Sequence, residues 1–315
     1  MRKPVKLASI GVILSIIVRG VLAQPGTNAE KLLIAIKSGD LTNALEIAQN
    51  IDSVNYTDAA GTSLLMHSIL AGYTKVSESL VEKGSNLDYR RSDGATALIL
   101  ASRFGHPDVV SLLLARGAKS DLKAMDGSTA LIWASIRGRA YITKLLLDNG
   151  ANPNIQDHVG SSALIWATLS GNTDVVNLLM DNGANSGLMR SDGATALIIA
   201  IQERLDEMVK VLLEKGANPD QPGGDGITPL MRASQLGRTD ILRILLEKGA
   251  NPDFQGKNGY TALMVASMNG QTDIVTELLN KNANRDLKNA NGKTALDFAA
   301  NPDIMSLLNN IKKPE

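Results

Sequence analysis

The 315-residue chain has no cysteine. That excludes a disulfide framework and a lipid-bearing N-terminal cysteine. Aromatic side chains are scarce as well, at 3%. A core with few rings has to be built from Ala, Leu, Ile, Val and Met, which suits closely packed helices better than a sandwich of sheets. Charge excess of either sign is missing too, since 32 Lys and Arg stand against 32 Asp and Glu. A nucleic-acid surface needs a basic excess gathered on one face, so no nucleic-acid partner is expected. Residues 1–23 are the exception: they hold Arg2, Lys3, Lys6 and Arg19 and no acid, which leaves 28 basic and 32 acidic residues in the rest of the chain.

That N-terminal stretch has the form of an export signal. A basic start is followed by an apolar run from Leu7 to Val18 and by Val21-Leu22-Ala23 ahead of Gln24 and Pro25. Twelve residues span roughly 18 Å as a helix, short of the ~30 Å hydrocarbon core of a bilayer. Cleavage after Ala23, with no stable membrane span left afterwards, is therefore expected. An uncleaved anchor is the alternative, because Arg19 interrupts the segment. A cysteine-free exported protein suits the oxidising bacterial periplasm.

What the chain has in abundance is repetition. The nine residues RSDGATALI at 91–99 return at 190–198, and the interval is three steps of 33. Gly61, Gly94, Gly127, Gly160, Gly193, Gly226, Gly259 and Gly292 all fall on this period. Two residues after each glycine comes a hydroxyl, from Ser63 and Thr96 through to Thr294, in the place of a helix N-cap. A Leu column, Leu65 to Leu296, follows, and an Ala column three residues further on shares its helix face. Further glycines, such as Gly138 and Gly150, end a first and a second helix. Each unit thus reads as turn, helix, turn, helix and long loop.

With these columns the sequence resembles the ankyrin repeat family, and DGITPLMRASQLGRTDILRILLEKGANPD at 225–253 is close to that family's general pattern. The resemblance implies an all-α solenoid of stacked helix-turn-helix units, with hairpin-like fingers along one edge. The expected organisation is a signal peptide at 1–23, a capping helical pair at 24–54, seven repeats of 33 residues at 55–291, and a truncated capping repeat and tail at 292–315. Departures from the pattern are informative. The family's usual His after the Leu is replaced by a column running from Met66 and Ile99 to Met264. Arg204 stands where other units have the inter-helix glycine, so either this residue is left-handed or the turn is remodelled and the array bends. Asn282 replaces the last glycine, a milder change.

No catalytic, cofactor-binding or metal-binding constellation is legible. His67, His106 and His158 lie in different units at different positions, too far apart to share a metal. NGKT at 291–294 ends like a phosphate loop but lacks the glycine that motif needs at 287. NYT at 55–57 matches a glycosylation acceptor, a weak three-letter signal. Trp133 and Trp166 occupy equivalent sites in adjacent units. They read either as interface anchors or, as their place one residue before the packing Ala favours, as filling between the first and second helices.

Specificity must lie in the columns that stacking leaves free, the finger tips and the exposed ends of the first helices. In the ankyrin resemblance these surfaces line the concave, partner-binding face. Units two to four bring Arg103, Phe104, Met125, Ile136, Arg137, His158 and Leu169 into those columns, apolar and arginine side chains of the kind an interface core with a cationic rim uses. The function expected is that of a monomeric, non-catalytic, exported scaffold for one protein partner, as a chaperone or immunity-type protein for an exported enzyme. A secreted effector that engages host-cell proteins is the second possibility.

Overall fold

The structure is a computed structural model and describes residues 26–309, so the segment with the form of an export signal lies outside the described residues. The array begins with a helical pair, α1 (Asn28–Ser38) and α2 (Leu41–Gln49). Thr27 and Glu30 close a capping box on α1, with Thr27 Oγ1 accepting from the Glu30 amide and Glu30 Oε2 accepting from the Thr27 amide.

Seven helix pairs follow in step with the 33-residue period. They are α3 (Leu64–Leu70) and α4 (Thr74–Glu82), α5 (Ala97–Phe104) and α6 (Pro107–Ala115), α7 (Ala130–Ile136) and α8 (Ala140–Asp148), and α9 (Ala163–Leu169) and α10 (Thr173–Asp181). After these come α11 (Ala196–Gln202) and α12 (Asp206–Glu214), α13 (Pro229–Gln235) and α14 (Thr239–Glu247), and α15 (Ala262–Met268) and α16 (Thr272–Asn280). The described chain ends with a short 3₁₀ turn at Leu296–Phe298 and α17 (Pro302–Asn309). Among the described residues there are no strands, only isolated bridges such as Thr57 to Ser63 that pinch the fingers shut. No helix among them is long and apolar enough to cross a membrane.

The hydroxyl column caps seven first helices. Thr129 Oγ1, for example, accepts from the Ile132 amide at 3.3 Å. Thr294 departs from the expectation: its amide and hydroxyl donate to Asp297 Oδ2, at 2.7 and 2.9 Å, and a 3₁₀ turn forms where other units have a helix. An acid three residues past the hydroxyl takes over the cap and holds the chain in a tight turn. From unit one to unit seven the Leu and Ala columns form one continuous core, in which Leu131, Ala134 and Leu146 are fully buried, whereas Leu296 in the 3₁₀ turn is exposed. From unit one onwards, first helices pack on neighbouring first helices more extensively than second helices do on theirs, which curves the array with the first helices inside.

Units are also tied through their backbones. In the long loops an Asn or Asp side chain accepts from an amide 31 residues on: Asn55 from Asn86, Asp88 from Lys119, Asp121 from Asn152, Asn154 from Asn185, Asp220 from Asn251 and Asp253 from Asn284. Asn55, the residue that matched a glycosylation acceptor, is one of these clamps. Finger tips join in a second ladder, with the Met125 amide donating to Asp93 O at 2.8 Å and the His158 amide to Asp126 O at 3.0 Å. The close approach needs glycine: Gly127 has φ 82°, and a Cβ there would lie 2.8 Å from the His158 amide nitrogen. Arg204 is left-handed with φ 59°, and Leu205 N still donates to Ala200 O at 2.9 Å, so the turn keeps the geometry of its neighbours rather than being remodelled. Asn282 adopts the same conformation, φ 59°.

Candidate partner-binding groove

The inner surface is built from the exposed C-terminal ends of the first helices and from the fingers. At its centre is Trp133 on α7, which is half-buried and donates from Nε1 to Ser128 Oγ in its own finger at 2.8 Å. Trp166 on α9 donates to Asp157 Oδ2 at 2.7 Å. The two indoles therefore lie between helix and finger, not between first and second helices as their position in sequence had suggested. A half-buried indole N–H requires an acceptor, and the fingers supply one.

Trp133 organises the charges around it. The Arg103 guanidinium lies 4.1 Å from the Trp133 ring centroid and 5.6 Å from that of Phe104, and the Arg137 guanidinium lies 5.9 Å from Trp133. Stacking on a ring face holds a cation in place without consuming its hydrogen bonds. Among the described residues neither Arg103 nor Arg137 has a carboxylate partner. Other arginines of the same surface do: Arg91 is bonded to Asp93, Arg190 to Asp192, and Arg232 to Asp225 at 2.6 Å. Asp192 shows the effect of such pairing, because the hydrogen bond from Arg190 is the main cause holding its carboxyl down to about 2.

The seven residues expected to form the site divide into three groups. Arg103, Phe104 and Arg137 meet around Trp133, with Phe104 46% exposed. Met125, 66% exposed, and His158 sit on adjacent finger tips, and the His158 ring packs over Gly127. Ile136 and Leu169 are half-buried and packed against the core, so they form the floor of the groove rather than free contacts. His67 lies elsewhere, 2.9 Å from Asp58 in unit one. Burial depresses the protonation of its imidazole, with the Asp58 hydrogen bond opposing.

A second concave patch, not picked out from the sequence, lies between units six and seven. It is a cleft of about 320 Å³ floored by Ile227, Met231, Tyr260, Val265 and Met268. Val265 stands in the column of Trp133 and Met268 in that of Ile136, so the same columns carried the signal; what they could not carry was the cleft that these side chains leave beneath the two fingers.

The comparisons with known proteins agree with this geometry. A family model described as "Ankyrin repeats (3 copies)" matches residues 32–124, 119–189, 164–256 and 230–314. Comparison with curated proteins gives no match. Among solved structures, the crystal structure of the ankyrin repeat domain of Bcl-3, described as a unique member of the IkappaB protein family, is similar with a TM-score of 0.65 at 29% identity, covering 70% of this chain and 100% of that one. Repeat period, capped helix pairs, laddered fingers and family match converge on one assignment: the chain belongs to the ankyrin repeat family, whose members generally serve as scaffolds for protein–protein interaction.

Proposed function

We propose that this protein is a non-catalytic scaffold that holds one protein partner in its concave groove, centred on units two to four. The observation that carries this reading is the Arg103–Trp133–Arg137 stack, with exposed Phe104 and Met125 beside it. Two guanidiniums immobilised on an indole, free of carboxylates and flanked by apolar side chains, have the composition of an interface hot spot. Their charge asks for an acidic partner surface. The basic and apolar segment at residues 2–23 extends the proposal to an exported scaffold, with a chaperone or immunity-type role toward one co-exported protein.

The test is crosslinked capture from the exported fraction by C-terminally tagged chain, followed by titration of the captured protein against wild type and an Arg103→Glu, Arg137→Glu variant. A loss of roughly 30-fold or more, about 2 kcal/mol, is expected with the thermal midpoint unchanged. Equal affinity in the two would remove units two and three from the interface.

A further inference from the structure

Between the loops that enter units one and two lies a cavity of about 170 Å³, on the loop side of the array and away from the groove. Buried Val54 and Leu65 make its floor. Four hydroxyls line its walls, those of Thr57, Ser63, Ser85 and Tyr89. Ser85 is the telling one. It is 7% exposed, and its Oγ has no hydrogen-bond partner among the described residues. In the other six units its column is Ala118, Ala151, Ala184, Ala217, Ala250 and Ala283, each buried and each using only its backbone amide to close the helix end. The fold therefore has no use for a hydroxyl at 85, and leaving one buried without a partner is unfavourable.

The remaining polar groups also have capacity to spare. Ser63 Oγ accepts from the Met66 amide and keeps its own proton to donate. The Thr57 and Tyr89 hydroxyls have no partner among the described residues. Asn55 and Asn86, both exposed, stand at the mouth, and each uses its carbonyl oxygen for a backbone amide, which leaves both NH₂ groups free. No charged side chain lines the cavity.

From these observations we infer that the cavity is a binding site for a small neutral polyhydroxylated molecule, a single sugar ring or a polyol of similar size. Hydroxyls that both donate and accept, two amide donors and an apolar floor beside a half-buried tyrosine ring match the alternating polar edges and apolar face of such a molecule. The volume, close to that of a cavity which accepts benzene, limits the guest to a fragment of this size. An ionised ligand is disfavoured because nothing in the wall would compensate its charge.

The experiment is saturation-transfer NMR and calorimetric titration of the full chain with glucose, mannose, myo-inositol and glycerol, with gluconate as the charged control. Saturable binding of at least one neutral probe is expected, weakened at least tenfold by Ser85→Ala and by Tyr89→Leu, with gluconate at least tenfold weaker. Ser85→Ala restores the residue of the other units, so its thermal midpoint should equal or exceed that of wild type, and loss of binding is then not loss of fold. No binding by any neutral probe, or binding indifferent to Ser85→Ala, would overturn the assignment.

Discussion

Units two to four and the junction of units five and six share a period but not a stiffness. In the first region every long-loop clamp is present, and the fingers are in step, with Asp93, Asp126 and Val159 accepting from Met125, His158 and Ser191. At the junction the clamp column holds Gly187, which has no side chain to reach the Asn218 amide. The finger ladder slips by one residue there, so that Gly193 O and not Asp192 O accepts from the next finger, at Gly224. Packing between the first helices, α11 and α13, is the sparsest between any adjacent pair from unit one to unit seven. Arg204 adds a left-handed residue that carries a Cβ. The stiff region holds the arginine and tryptophan cluster, and preorganised side chains lose less entropy on binding. In a solenoid, stability is close to a sum of unit and nearest-neighbour terms, so a weak junction divides the molecule without unfolding either part.

Leu146 and Leu212 are equivalent and fully buried, and truncating either to Ala should cost about 2–5 kcal/mol. Leu212→Ala should split the urea transition in two, because it acts at the weak junction, whereas Leu146→Ala should lower a single transition; splitting in both would deny the difference. Arg204→Gly should add about 1–2 kcal/mol by removing the left-handed penalty. Gly187→Asp should supply the missing clamp and add roughly 1 kcal/mol, seen as slower amide exchange at Asn218. Its φ is not positive and the other units accommodate an Asn or Asp there, so a side chain fits.

Acid should have the smallest and least selective effect. The Arg91–Asp93 and Arg190–Asp192 pairs occur in the two copies of RSDGATALI, and both carboxyls lie below their ordinary 3.8, Asp192 at about 2. The unfolded chain takes up these protons first, so stability present above pH 3.8 should be lost from both regions as pH falls below that value, down to about 2 for Asp192. Unit one should respond earlier. His67 lies below its ordinary 6.5 in the folded state, so its contribution is intact above that value and declines as pH drops below it. Denaturant midpoints between pH 7 and 2, with His67→Gln as the comparison, would show both windows.

Much of this was legible in the sequence, because a solenoid writes each tertiary contact as a column. The N-caps, the glycine positions and the alternation of helices follow from local backbone chemistry repeated every 33 residues. Legibility failed where a side chain chose between partners. Spacing pointed Trp133 and Trp166 toward the gap between first and second helices and could not say that the indole N–H would turn to Ser128 or Asp157 in the finger. Thr294 has the right place for a cap, yet Asp297 competes for its hydrogen bonds. The Arg103 stack crosses from unit two to unit three, and no single unit's pattern displays it.

The most direct test of the account is hydrogen exchange on the full chain with and without its captured partner. The account predicts added protection in units two to four, at the amides of Met125 and His158 and along α5 and α7, with the junction of units five and six little changed. Protection confined to the cleft between units six and seven, with none around Trp133, would contradict it.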